Sequence, residues 1–284
     1  MTDSATTNQA QSAYWGGVGG GAWIDLQEQM DGQLQALGDA AIDVALVALG
    51  DRVLDVGCGC GATTLALAQL VGPSGSVVGC DISEPMLQRA AQRSAEANMT
   101  QATFAATDVQ TAELPGPFDV VFSRFGVMFF ADPVAAFANM RAATRVGGHL
   151  SFVCWQSAAL NDSFSVVSRA GIEVLGPPEP LDPDAPGPNA FADPARIRAV
   201  LSGSGWTGVE VVECRRQMQV FGTTDLEAGV EAAMRIGWLA RRLADEPEDV
   251  AARARAAVRA AIEQRWTSQG WMCDGVCWLV TASN

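Results

Sequence analysis

Lysine is absent from this 284-residue chain: all 18 basic side chains are arginine, set against 32 acidic ones, for a formal charge of −14. There is one histidine, His149, and one tyrosine, Tyr14. That scarcity excludes lysine chemistry and leaves few proton-transfer groups, so any catalysis must lean on positioning. The negative charge repels phosphate backbones and anionic lipid, which sets nucleic acid and polybasic membrane attachment aside as partners. No apolar run reaches the roughly 20 residues that span a bilayer, so no membrane insertion is expected. The opening MTDSATTNQAQSAYWGG has no basic region followed by an apolar core, and a secretory signal is not expected either. Five of the seven cysteines (Cys58, Cys60, Cys80, Cys154, Cys214) lie in or beside apolar runs, the usage of small buried hydrophobes in a reducing, cytoplasmic setting. Cys58-x-Cys60 and Cys273-x-x-x-Cys277 lack a paired His or a CxxC partner, and no metal site is expected.

What is present is apolar: 49% of residues are hydrophobic, enough for a chain of this size to bury about three quarters of its unfolded surface. Residues 1 to 21 are polar and then Gly-rich, which predicts a flexible entry segment with an aromatic pair, Tyr14-Trp15, able to dock. From Trp23 to Leu49 apolar positions recur at helical spacing, and a break near Gly38 predicts two helices. Buried strands are expected at 52–57, 76–81, 103–108, 118–123 and 148–155, with helices between them, one opening at Ser83-Glu-Pro and one at Asp132-Pro133. This alternation predicts an α/β, doubly wound, mostly parallel sheet. Beyond Trp155 the spacing predicts helix over 157–175 and a connection over 176–194 with prolines at 177, 178, 180, 183, 186, 188 and 194, of the kind that covers an active site. A short helix over 191–201 and closing strands at 208–214 and 275–282 follow. Between those strands, two helical stretches over 225–266 split at Glu246-Pro247.

The segment Asp55-Val-Gly57-Cys-Gly59-Cys-Gly61 sits between a strand and a helix, where glycines let the backbone approach a ligand and the helix start offers unpaired N–H groups. Asp81 ends the second strand, where a carboxylate can accept both hydroxyls of a ribose, and Asp108 ends the third on the same sheet edge. A nucleotide-like ligand fits this set. The bland alternative is a tight turn whose carboxylates only cap helices.

Five runs in order carry a family resemblance: Val53-Leu-Asp-Val-Gly-Cys-Gly-Cys-Gly61, Val77-Val-Gly-Cys-Asp-Ile-Ser-Glu-Pro-Met-Leu87, Ala106-Thr-Asp-Val-Gln110, Phe118-Asp-Val-Val-Phe-Ser-Arg-Phe-Gly-Val-Met-Phe-Phe130 and Val146-Gly-Gly-His-Leu150. Together, over residues 30 to 155, they resemble class I S-adenosylmethionine-dependent methyltransferases, and in particular the small-molecule branch related to ubiquinone and menaquinone C-methyltransferases. The resemblance implies a Rossmann-like sheet of seven strands with a reversed C-terminal hairpin and helical lid insertions. It implies one methyltransferase domain over 1–284, with an N-terminal helical lid segment at 1–50, a cofactor-binding core at 51–155 and acceptor-binding insertions and closing strands at 156–284.

The cofactor would be S-adenosylmethionine. Asp55 and the backbone at Gly57 and Gly59 would hold its methionine end, and Gly61 would allow close passage of the ribose. Asp81 would bind the ribose hydroxyls, Ile82 and Met86 would pack on adenine, and Asp108 with the Val109 backbone would meet the adenine edge. Ser123 and Arg124 would end the fourth strand below the sulfonium, and Phe125 would line the methyl channel. Cys60 departs from the more usual Ser or Thr between the last two glycines. Tyr14, Trp15, Trp23, Phe129 and Trp155, with Met234 and Trp238 of a 231–243 helix, are the candidate walls for a small apolar or aromatic methyl acceptor. No general base stands out: His149 begins a buried strand and reads as structural. A homodimer is compatible with the sequence. Two rival readings stay open, a nicotinamide-dependent oxidoreductase on the same glycine pattern and a non-catalytic module that binds S-adenosylmethionine.

Overall fold

A computed structural model of the chain describes residues 4–178, 182 and 184–284; Pro180 and Pro183 of the proline-rich connection, and the first three residues, lie outside them. Seven strands form one sheet in the order β3-β2-β1-β4-β5-β7-β6: β1 Arg52–Val56, β2 Ser76–Asp81, β3 Ala102–Ala106, β4 Phe118–Arg124, β5 Thr144–Trp155, β6 Thr207–Gln219 and β7 Met272–Ser283. The first five run parallel, and β7 inserts antiparallel between β5 and β6. This is the doubly wound, seven-stranded Rossmann-like sheet with a reversed hairpin. Its central strands are covered on both faces, which is why Leu54, Val121, Phe122, Leu150 and Phe152 are wholly buried and why those runs read as unbroken apolar stretches.

Connecting helices start where the sequence offers caps. Ser83 accepts a hydrogen bond from the Met86 N–H at the head of α5 (Glu84–Glu96). Asp132 accepts from the Ala135 N–H at 3.0 Å at the head of α6 (Pro133–Ala142), and Asp193 from the Ala195 N–H at 2.8 Å at the head of α8 (Pro194–Gly203). The other crossover helix, α4 (Ala62–Val71), follows the glycine segment directly. Because the chain steps outward from β1 to β2 and β3 on one side and then crosses back to lay β4 on the other, the crevice opens at the carboxyl ends of β1 and β4.

Several expectations are corrected. Residues 1 to 21 are not a loose entry segment: they form α1 (Ser4–Gly16) and most of α2 (Val18–Asp25). Nor does the chain break at Gly38, because α3 runs unbroken from Gln27 to Val44 and the turn falls at Leu26. Gly38 instead makes room for a neighbour, since a Cβ there would stand 3.0 Å from Cδ of Arg124. Strand β3 stops at Ala106, which leaves Asp108 in the turn that follows. Helix α7 begins at Asp162 and ends at Leu175. Three helices, not two, fill the stretch before β7: α9 (Leu226–Arg235), α10 (Gly237–Leu243) and α11 (Glu248–Glu263). The extra break comes at Gly237, whose φ of +79° a glycine adopts without strain.

Apolar packing is divided in two. One cluster fills both faces of the sheet; the second lies under α7, α9, α10 and α11 and centres on Val220, Val230, Val258, Ile262 and Trp271. Trp23 packs against both, so the seam between sheet and helical cover passes beside the crevice.

Candidate active site

At the end of β1 the chain folds tightly over the end of β2. The N–H groups of Gly57 and Cys58 both donate to the Cys80 carbonyl, at 2.8 and 3.1 Å, and the Gly61 N–H returns to the Cys58 carbonyl at 2.9 Å. Gly57 (φ +67°) has no room for a side chain, since a Cβ would lie 2.7 Å from the Cα of Gly126. Gly59 (φ +54°) faces open space instead; its nearest neighbours would be Met86 Sδ at 3.9 Å and Trp23 Nε1 at 4.0 Å. That opening is where a ligand can lie against backbone. Gly61 serves packing: a Cβ would meet that of Ala90 on α5 at 2.9 Å, and the residue is not in the cavity wall.

Asp81 is the best-placed carboxylate. One oxygen accepts from the Gly59 N–H and the other from the Ser83 N–H, each at 2.9 Å. A carboxylate has about four acceptor sites, so capacity remains on each oxygen for a hydroxyl of a ligand. Burial raises its pKa above the usual carboxylate value, against the pull of the Ser83, Gly59 and Ile82 backbone N–H groups. Asp55 lies beneath the loop and is fully buried, outside the cavity wall. Its Oδ2 accepts from the hydroxyls of Thr63 (2.8 Å) and Thr64 (2.6 Å), while Oδ1 has no partner among the described residues. Desolvation pushes its pKa up to about 6, against the threonine hydrogen bonds and the Arg124 charge. Cys60 is buried and pushed up to about 12, which makes it an inert thiol near neutrality.

A cavity of about 250 Å³ opens above these groups. Gly57, Gly59, Asp81, Ile82 and Met86 form one side of its wall, with Asp108 and Val109 beside them. Arg124 and Phe125 enter from the end of β4. The Phe125 ring stacks on that of Trp155, with centroids 4.4 Å apart and planes at 12°. Ser123 is buried and stays out of the wall: its hydroxyl donates to the Val56 carbonyl at 2.7 Å and accepts from the Gly126 N–H, clipping β4 to β1.

The cover completes the cavity. Tyr14, Trp15, Trp23 and Phe129 all stand in the wall, and Trp15 sits edge-on to Phe129 at 5.2 Å and to Trp23 at 6.1 Å. The Ser83 hydroxyl donates to the Trp15 carbonyl at 2.7 Å, which ties the N-terminal helices to the residue whose N–H anchors Asp81. Met30, Gln33 and Leu34 of α3, Phe164 of α7 and Arg241 of α10 are further wall residues that sequence reasoning missed. Spacing could have suggested Met30 and Leu34, four apart on one helix face; nothing local marks the other three. Met234 and Trp238 turn away and pack against the second apolar cluster, the indole of Trp238 lying against Gly171 of α7. Between them, Arg235, Ile236 and Gly237 line the cavity.

Comparison with known proteins bears on the ligand. The methyltransferase domain family matches residues 53–148. Over 206 residues the chain is 36% identical to demethylmenaquinone methyltransferase of Thermus thermophilus, a match that covers 66% of this chain and 86% of that enzyme. The chain belongs to the S-adenosylmethionine-dependent methyltransferases. It is also 33% identical over 152 residues to aklanonic acid methyltransferase DauC of Streptomyces sp. strain C5, covering 52% of this chain and 64% of that enzyme. The chain therefore spans a little under two thirds of the length of that relative. The fold is that of the YcgJ protein from Bacillus subtilis, with a TM-score of 0.57 at 14% identity over 88% of this chain and 98% of that one.

S-adenosylmethionine is thus the cofactor against which the methyltransferase cavity is judged, and the residues fit it. The Gly59 backbone leaves a cradle that a side chain would fill, Asp81 keeps unused acceptor sites, and Ile82 and Met86 offer an apolar face. The nicotinamide alternative has no support in these relatives. His149 does not begin its strand: it lies in the middle of β5, paired with Val120 and Ser283, level with Val53 on the amino side of the parallel strands and outside the cavity wall.

Proposed function

We propose that this chain transfers a methyl group from S-adenosylmethionine to a small apolar or aromatic metabolite. The observation that carries the reading is the Asp81 carboxylate, held by the Gly59 and Ser83 N–H groups in the wall of a cavity that continues under an aromatic cover. Asp81 would hold the ribose hydroxyls, Ile82 and Met86 the adenine faces, and Asp108 with Val109 the adenine edge. Backbone at Gly57 and Gly59 and the Arg124 side chain would hold the methionine end, with Phe125 beside the methyl path. Asp55, Gly61 and Ser123 would act from beneath, by fixing the loop and strand ends. When bound, this cofactor supplies a methyl carbon on a sulfonium, already a strong electrophile.

The chain's own contribution is then orientation and exclusion of water. Trp15, Trp23, Phe129 and Trp155 present flat apolar surface to an acceptor, and α1 and α2 close the cavity from above. In this reading residues 51–155 hold the cofactor while 1–50 and 156–284 form the cover, within one domain. Among the described residues no helix is long and apolar enough to cross a membrane. The reading places the enzyme in the cytoplasm, without nucleic-acid partners, and compatible with a homodimer.

Calorimetric titration with S-adenosylhomocysteine, followed by methyl release from labelled S-adenosylmethionine across a panel of small apolar and aromatic acceptors, tests the proposal. Micromolar binding with turnover of one acceptor class is expected. Absence of binding overturns the reading; binding with no turnover across the panel favours a module that holds the cofactor without transferring methyl.

A further inference from the structure

This inference rests on the methyl-transfer reading and concerns the acceptor's charge. Five charged side chains line the cavity: Asp81 and Asp108 near the strand ends, Arg124 from β4, and Arg235 and Arg241 from the cover. Arg124 is matched by Asp31 at 3.2 Å and Arg235 by Asp25. Among the described residues Arg241 has no carboxylate within ion-pair distance; its guanidinium carbon lies 4.5 Å from the centroid of the Tyr14 ring. Gln11 and Ser12 of α1 line the same wall and add polar groups beside it. In a chain with 32 acids for 18 arginines, the cover side of this cavity is thus cationic and, among the described residues, carries no acid. An exposed guanidinium braced on an aromatic ring at a cavity rim is suited to a planar oxyanion.

A second observation points the same way. Methylating a neutral O–H or N–H group leaves a proton to be removed. Methylating an anion leaves none, because its lone pair becomes the new bond to carbon while sulfur keeps the electron pair of the bond that breaks. No histidine or lysine lines the cavity, and its thiols, Cys58 and Cys80, are pushed above their ordinary value by burial. The acceptor sites of Asp81 left over from Gly59 and Ser83 are, in this reading, taken by the ribose hydroxyls, and Asp108 accepts from the Gln110 N–H at 3.0 Å. The wall is poorly equipped to take a proton and well equipped to receive negative charge.

We infer that the acceptor is an organic anion, a ring-bearing apolar body with a group ionised at neutral pH, and that Arg241 recognises that charge. The test uses two dyes of one scaffold, anionic 8-anilinonaphthalene-1-sulfonate and neutral N-phenyl-1-naphthylamine, titrated by fluorescence into protein saturated with S-adenosylhomocysteine. The anionic dye is expected to bind about tenfold more tightly. Arg241→Gln should remove that advantage and leave the neutral dye within about twofold. Arg241→Lys should keep part of it. Arg242→Gln, which breaks only the 2.8 Å pair with Glu246 on the next residue of α10, should change neither.

Equal affinity for the two dyes, an unchanged ratio in Arg241→Gln, a loss in Arg242→Gln as large as in Arg241→Gln, or no dye binding to the saturated protein each overturns the inference. Failure of S-adenosylhomocysteine to saturate the protein overturns the methyl-transfer reading itself, and this inference with it.

Discussion

The two sides of the cavity are held in different ways. The strand-end side is a hydrogen-bonded frame: the Cys80 carbonyl takes two N–H groups from the glycine loop, Asp81 takes two more, and Ser123 ties β4 to β1. The cover side is assembled from segments far apart in the chain that meet through ring edges and a few single links. Trp15 is tied to Ser83, Gln33 to the Phe221 N–H, and the Gly187 N–H to the Met128 carbonyl at 2.9 Å. A frame of backbone bonds at sheet ends fixes a cofactor's polar groups. A cover of separate segments can change its lining without disturbing that frame, which is where acceptor choice belongs.

The largest expected effect comes from breaking the frame. Gly57→Val places a branched side chain in a left-handed turn and against the backbone of Gly126, so S-adenosylhomocysteine binding should vanish in calorimetry while far-ultraviolet dichroism stays near parental. Normal binding would mean that the loop yields, contrary to the contrast drawn above. Removing residues 1–21 attacks the cover instead. It takes away Tyr14, Trp15 and the Ser83 link, and should lower turnover on the order of a hundredfold through lost orientation and water entry. Cofactor affinity should stay within about fivefold; comparable losses in both quantities would show that frame and cover are one unit.

Legibility in the sequence follows the same division. Strands β1 to β5 and their helices could be read because buried parallel strands are unbroken apolar runs, and because caps such as Ser83 and Asp132 announce helices. The frame's carboxylates could be read because they stand at strand ends. Of the cover, only the aromatic residues Tyr14, Trp15, Trp23 and Phe129 could be read. Gln33, Phe164 and Arg241 reach the cavity only through the packing of α3, α7 and α10, and helical spacing alone does not separate Ile236, which faces the cavity, from Met234 and Trp238, which do not. Gly38 misled for a related reason: a glycine inside a helix reads as a break unless the Arg124 side chain that needs the space is known.

Asp81→Ala sharpens the picture of the frame. It deletes an acceptor from Gly59 and Ser83 as well as from the ligand, and should weaken S-adenosylhomocysteine binding by about 2 to 3 kcal/mol, roughly 30- to 150-fold, with the fold retained. Unchanged affinity would remove Asp81 from the cofactor site. The buried Asp55 gives a smaller effect, visible in stability. Its pKa is raised from the model-compound value of 3.8 to about 6, so the folded state holds its proton more tightly than the unfolded chain does. Its contribution is therefore full below pH 3.8 and is lost as pH rises through 6. Between pH 4.5 and 7 the stability of the parent should fall by roughly 2 kcal/mol relative to Asp55→Asn, read from urea midpoints. Parallel curves for the two proteins would show that the carboxyl is ionised throughout.

The smallest effect is expected at His149, although it is the chain's one imidazole. It sits level with Val53 and Val120, near the amino ends of β1 and β4, whereas the cavity opens at the carboxyl ends of the parallel strands, and it is absent from the wall. No proton can pass directly from a bound acceptor to a group at the opposite edge of the sheet. Truncation removes a half-buried ring from the middle of a strand that stays paired with β4 and β7 on either side. His149→Ala should therefore keep turnover within about tenfold of the parent and leave the bell or plateau of the pH profile in place. A loss of about a thousandfold in a folded protein would mean that the imidazole reaches the chemistry through a route the sheet does not provide, and it would restore a general base to a site whose walls otherwise offer only orientation.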